Sequence, residues 1–111
     1  MPATKTKLSK LTCDESIAPL LRPAEVRILK RQIKPHWKLV KGKIIEREYK
    51  FPDFTKALAF TNRIGKLADQ QGHHPDVFLT YGKVRLQIST HSAGGLTQND
   101  FILASKFDRV A

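Results

Sequence analysis

The feature that most constrains the fold is a long amphipathic segment in the middle of the chain. Its apolar residues recur at steps of three and four, which places them on one stripe of a helix: Ala57, Phe60, Ile64, Leu67 and Ala68. Asp53 is placed to cap the start of this helix, and Gly72 can end it in a left-handed conformation. A helix of this kind must bury its stripe against a second layer, which the rest of the chain has to supply.

Two hairpin signals flank this helix. Residues 37–40 and 44–51 lie around a turn at Gly42, and residues 77–81 and 84–90 lie around a turn at Gly82. A helical pattern starts at Pro23 and runs to about Ile33, and another follows a capping-type sequence at 97–100. The order of these elements predicts an α+β fold: a four-stranded antiparallel sheet with three helices packed on one face.

The length of 111 residues predicts one domain. We expect residues 1–12 to form a flexible basic tail and residues 13–111 to form the domain. No apolar run approaches the roughly 18 residues that cross a membrane, so no membrane association is expected. Cys13 is the only cysteine, which excludes an intramolecular disulfide and favours a reducing, cytoplasmic location.

The net charge of +10 raises the question of an anionic partner. Basic patches bind nucleic acids by releasing counterions, but no series of aromatic residues accompanies the Lys and Arg residues here. Attraction of small anions and a merely solvated surface are the other interpretations. The pattern favours the solvated surface, and a nucleic-acid partner is not expected.

Three of the four histidines are placed to meet at one end of the second hairpin. His73 and His74 follow the central helix, and His91 follows the last strand. Counting outwards from Gly82 makes Val77 and Ile88 near-partners, so the two ends of this hairpin would lie side by side. Two carboxylates could support the imidazoles. Asp69 lies four residues before His73, and Asp100 lies at the start of the last helix, where a capping role is equally expected.

Three interpretations of the histidines compete. They could be unrelated surface or core residues, they could bind zinc, or they could perform general acid–base catalysis. Adjacent histidines tend to diverge, and the usual metal-binding spacings are absent, which argues against zinc. Imidazole has an unperturbed pKa of about 6.5, so both of its protonation states are available near neutral pH.

The ordered set of site residues resembles the signature of the pterin-4a-carbinolamine dehydratase family. It consists of Asp69, His73-His74-Pro75, Tyr81, His91 and Asp100. The segments 90–97 (THSAGGLT) and 100–101 (DF), the stretches 47–51 and 57–60, and the position of Trp37 are similar as well. The resemblance covers roughly residues 14–108. Asp69 stands where many members have Glu.

The resemblance implies a lyase that dehydrates 4a-hydroxytetrahydropterin to quinonoid dihydropterin in tetrahydrobiopterin recycling, without a cofactor or a metal. His73 and His91 would be the acid–base pair, His74 would position the pterin, and Asp69 and Asp100 would orient the histidines. The implied substrate-binding residues are Trp37, His73, His74, Pro75, Thr90, His91, Ser92 and Ala93.

It also implies a homodimer or homotetramer. Two other functions are alternatives to the lyase: a protein-binding dimerisation cofactor or transcriptional coactivator, and a basic nucleic-acid-binding module.

Overall fold

The computed structural model describes residues 7–14 and 18–111. These residues form seven helices and strands, together with two short 3-10 helices at Leu8–Lys10 and His91–Ala93. In chain order the main elements are α1 (Pro23–Lys30), β1 (Lys38–Val40), β2 (Ile44–Lys50), α2 (Phe54–Gln71), β3 (Asp76–Thr80), β4 (Lys83–Ile88) and α3 (Gln98–Val110). None of the helices in the described ranges is long and apolar enough to cross a membrane.

The four strands form one antiparallel sheet in the order β1-β2-β4-β3, which confirms the predicted α+β fold. Val77 pairs with Leu86, two residues from Ile88, which the sequence predicts as its near-partner. The strands pair symmetrically about Tyr81 and Gly82, so the turn has two residues instead of being centred on Gly82. The same ends of β3 and β4 still lie together.

The core lies between the sheet and the helices. The stripe of α2 is buried at Ala57, Phe60, Ile64 and Ala68, as the sequence predicts, while Leu67 is half-buried. Alternate residues of β4 point into the same core, and α3 adds the fully buried Phe101 and Phe107. Helix α1 ends at Lys30, three residues before the predicted end, and the chain then turns towards Pro35.

Part of the segment predicted to be a flexible tail is packed against the domain. Leu8 is buried in the core, and the 3-10 helix that contains it lies against α3. Lys106 donates a hydrogen bond from Nζ to the carbonyl oxygen of Ser9 at 2.8 Å. The structure therefore differs from the prediction at residues 8–10, because the buried Leu8 side chain and the hydrogen bonds to Ser9 hold this segment against α3. Residues 1–6 lie outside the described residues, and there the tail stays a prediction.

A buried polar cluster joins the end of α3 to the sheet. The carboxylate of Asp108 accepts hydrogen bonds from Trp37 Nε1 at 2.9 Å, from Arg47 at 2.8 Å and from the hydroxyl of Tyr49. The Arg47 guanidinium also lies over the Tyr49 ring, 4.4 Å from its centroid. Burial, together with the hydrogen bond to Asp108, raises the pKa of Tyr49 well above its usual value.

Candidate active site

The end of α2 determines where the two adjacent histidines point. Gly72 ends the helix in the left-handed conformation, with φ of 64°. The N–H of His73 then donates to the carbonyl oxygen of Ala68. Pro75 restricts the residue before it, His74, to extended geometry. Successive side chains of an extended segment point to opposite sides. His73 consequently points inward, with its side chain 4% exposed, and His74 points outward, with its side chain 61% exposed.

His73 is bound to a fully buried carboxylate at the start of α3. Its Nε2 lies 2.6 Å from Oδ1 of Asp100, whose side chain is 0% exposed. The other oxygen, Oδ2, accepts hydrogen bonds from the Thr97 N–H at 2.8 Å and from the Thr90 hydroxyl at 2.9 Å. Asp100 thus has both of the roles that the sequence left open: it belongs to the capping box of α3, and it is the partner of His73.

The hydrogen bond to Asp100 involves one ring nitrogen of His73. A carboxylate only accepts hydrogen bonds, so the proton between His73 and Asp100 belongs to Nε2. The buried carboxylate of Asp100 favours the charged form of this ring. The arrangement is that of an imidazole held by a buried carboxylate.

The second histidine–carboxylate pair differs from the one that the spacing suggested. Asp69 was expected beside His73, but its Oδ1 lies 2.8 Å from Nε2 of His74. The physical reason is the chain reversal at Gly72, which turns His73 away from the face of α2 that carries Asp69. Because both side chains of this pair are largely exposed, we expect it to contribute at most about 1 kcal/mol to stability.

His91 lies in the loop after β4, next in sequence to a residue that binds the buried His73–Asp100 pair. Thr90, whose hydroxyl binds Asp100, directly precedes His91, and His91–Ala93 form a 3-10 helix. The imidazole of His91 is exposed and makes no hydrogen bond or ion pair within residues 7–14 and 18–111. The loop therefore leaves His91 accessible at the surface, one residue from the network that holds His73.

Some of the predicted substrate contacts are engaged elsewhere. The N–H of Thr90 donates to the Gly95 carbonyl oxygen, and the N–H of Ala93 donates to the Thr90 carbonyl oxygen, so neither is available to bind a pterin edge. Trp37 is 0% exposed, and its indole N–H is bound to Asp108, so it is a core residue in this structure. Ser92 is exposed, and Pro75 is half-buried.

The sequence interpretation missed the side-chain roles of Thr90 and Thr97. The two hydroxyl oxygens lie 2.9 Å apart, and the Thr90 hydroxyl in turn donates to Asp100. Thr97 therefore donates to Thr90, and a chain of hydrogen bonds ends at the carboxylate. The only signal in the sequence is a pair of threonines at the end of a strand and the start of a helix, which many proteins have without such a network.

No group of three or more His, Cys, Asp or Glu side chains lies close enough together to hold a metal ion among the residues that the structure describes. The absence of a cofactor stays a prediction.

Comparison with known proteins gives consistent results. The family model described as "Pterin 4 alpha carbinolamine dehydratase" matches residues 19–110. A protein of Alkaliphilus metalliredigens named "Putative pterin-4-alpha-carbinolamine dehydratase" is 42% identical over 91 residues, which are 82% of each chain. A protein of Chlorobium limicola with the same name is 45% identical over 97 residues, covering 85% of this chain and 84% of that one.

Two solved structures are similar to this fold. The first, titled "Crystal structure of transcriptional coactivator/pterin dehydratase from Brucella Melitensis", has a TM-score of 0.76 and 33% identity, covering 82% of this chain and 97% of that chain. The second, a pterin dehydratase-like protein described as a RuBisCO assembly factor in the alpha-carboxysome, has a TM-score of 0.58 and 18% identity. It covers 68% of this chain and 88% of that chain, and it supports the fold alone.

Proposed function

Since the chain belongs to the pterin-4a-carbinolamine dehydratase family, we propose that it is a hydro-lyase that removes water from 4a-hydroxytetrahydropterin. The product is quinonoid dihydropterin, and the pathway is tetrahydrobiopterin recycling. The observation that carries the proposal is the buried His73–Asp100 pair, which holds an imidazole next to the loop that carries a second, exposed imidazole.

The reaction needs one proton to leave and one to arrive. N5 of the pterin loses its proton, the 4a-hydroxyl group gains one, and the C4a–O bond breaks to release water. His73 accepts the first proton, and Asp100 stabilises the imidazolium. His91 supplies the second proton, and the two histidines can exchange roles between the faces of the substrate. Each group would contribute roughly 10²–10⁴-fold.

The remaining site residues bind and orient. His74, held by Asp69 and largely exposed, would position the pterin ring. The exposed Ser92 and the half-buried Pro75 lie on the two segments that carry the histidines and would line the substrate. No step in this scheme requires a metal or a redox cofactor.

The test is a dehydratase assay on enzymatically generated 4a-hydroxytetrahydropterin, followed by the loss of its absorbance. The His73→Ala/His91→Ala double variant should lose catalysed dehydration. His36→Ala is the matched control, because His36 is exposed and lies before β1, on neither site segment. Full activity in the double variant would refute the roles given to these histidines, and an inactive wild-type protein would refute the function.

A protein-binding role is the second candidate, and the exposed apolar side chains favour it. Phe54 and Leu58 are exposed on α2, and Val77 and Phe78 are exposed on the edge strand β3. We propose that these faces support a homodimer or homotetramer in a cytoplasmic protein. Light scattering coupled to size-exclusion chromatography tests this, and a monomer at micromolar concentration would contradict it.

A further inference from the structure

The segment before α1 bridges the two helix ends that form the candidate site. The Cys13 N–H donates to Gln71 Oε1 at 2.9 Å, on the last residue of α2. The Asp14 N–H donates to Asn99 Oδ1 at 3.0 Å, near the start of α3, and the Cys13 thiol lies 3.5 Å from the Asn99 carbonyl oxygen. Asn99 is buried, at 3% exposure, although its side chain is polar.

This bridge runs beside the His73–Asp100 hydrogen bond. Gln71 is two residues before His73, and Asn99 is the residue before Asp100. Residues 13–14 therefore join the same two segments that the catalytic pair joins, within two residues of it on each side. A second connection at this place restricts how far the end of α2 and the start of α3 can separate.

The bridging segment is itself anchored at the far end of α3. Ser9 accepts hydrogen bonds from Lys106 through its carbonyl oxygen and from Arg109 through its hydroxyl oxygen, and Leu8 is buried in the core. The described part of the N-terminal segment thus lies along α3, from residues 106–109 to Asn99. We call residues 8–14 with these contacts the N-terminal strap.

We propose that Asn99 and Gln71 are positioning residues, which hold the N-terminal strap against the two helix ends and so maintain the His73–Asp100 pair at hydrogen-bonding distance. The proposal rests on the proposed dehydratase function for its kinetic consequence. Outer partners that orient a metal-binding imidazole commonly change affinity or activity by about 10–100-fold, and we expect the lower end of this range here. Neither residue needs to touch the substrate for this effect.

Asn99→Ala removes the acceptor for Asp14, and Gln71→Ala removes the acceptor for Cys13. We expect each to lower kcat by about 10-fold with KM changed by less than about threefold, because substrate contacts remain. Gln71→Glu keeps an acceptor oxygen and should retain most of the activity. Arg109→Ala is the matched control, since it removes a contact of the same strap at the other end of α3.

Hydrogen exchange provides a readout that does not depend on turnover. In Asn99→Ala the amides of His73 and Asp100, which donate to Ala68 and Thr97, should exchange faster, while the amides of β4 should not change. Unchanged exchange at these two amides would overturn the proposal, and so would an equal loss of kcat in Arg109→Ala. If the wild-type protein has no dehydratase activity, the proposed function fails. Hydrogen exchange at the amides of His73 and Asp100 then still tests whether the N-terminal strap holds the pair.

Discussion

Replacing Asp100 by Asn should reverse the hydrogen bond at His73 without changing the size of the side chain. The oxygen at the Oδ2 position must stay an oxygen, because the Thr97 N–H that points at it only donates. The amide nitrogen then takes the Oδ1 position, 2.6 Å from Nε2 of His73 in the native protein. An amide nitrogen donates, so Nε2 must become the acceptor and the ring proton must move to Nδ1.

The expected loss of activity follows from this reversal. The negative charge of Asp100 that stabilises the protonated form of His73 is gone, and the proton shared with residue 100 is no longer on Nε2. We expect kcat/KM to fall by roughly 10²–10⁴-fold, the contribution of one general base. Stability should fall by only about 1–2 kcal/mol, because the cap of α3 is kept and one charge-assisted hydrogen bond is lost.

Asp100→Ala gives the comparison for stability. It leaves three buried donors without their acceptor, namely the Thr97 N–H, the Thr90 hydroxyl and the His73 Nε2–H. At about 1–3 kcal/mol each and without full additivity, the loss should be about 3–6 kcal/mol. Asp53→Asn is the matched control, since Asp53 caps α2 through the Lys56 N–H and Asn caps helices equally well.

Three measurements test this reasoning. Long-range ¹H–¹⁵N NMR spectra report which ring nitrogen of His73 carries the proton, urea unfolding reports stability, and decay of the 4a-hydroxypterin absorbance reports turnover. The argument is refuted if Asp100→Asn leaves the proton on Nε2, or if its kcat/KM stays within about threefold of wild type.

Three further predictions concern stability and pH. Asp108→Ala should lower the free energy of unfolding by about 3–5 kcal/mol in urea denaturation, because it leaves the largely buried guanidinium of Arg47 without its partner carboxylate. A loss below about 1 kcal/mol would contradict this prediction. The raised pKa of Tyr49 means that its contribution to stability is present below the unfolded value of about 10 and is lost as the pH rises above it. In Tyr81→Phe, where Tyr49 is the one remaining tyrosine, phenolate absorbance should appear only with unfolding, and its appearance in the folded protein near pH 10 would be contrary to expectation. Gly72→Ala should lower the free energy of unfolding by about 1 kcal/mol, because the residue has a φ of 64° and no atom lies within 4 Å of an added Cβ. An unchanged midpoint in thermal denaturation would contradict backbone strain at this position.

Patterns that depend on near neighbours predicted most of the fold. The stripe of α2, its cap at Asp53 and its end at Gly72 are as expected, because helix periodicity and capping depend on residues a few positions apart. Val84, Leu86 and Ile88 alternate along β4 and are all buried, because alternate residues of a strand share one face. The exact partner of Val77 in the β3–β4 hairpin was not predicted, because register depends on the geometry of a turn that several residue types can form.

The sequence by itself determined which residues could carry the chemistry: the two histidine-bearing segments and the two carboxylates are recognisable from residue types and spacing. The tertiary structure alone decided the pairing, giving Asp100 to His73, Asp69 to His74 and Trp37 to the core. The physical reason is that these contacts depend on the direction of each side chain after a chain reversal. They also depend on the packing of helices that are distant in sequence, and local periodicity carries no information on either.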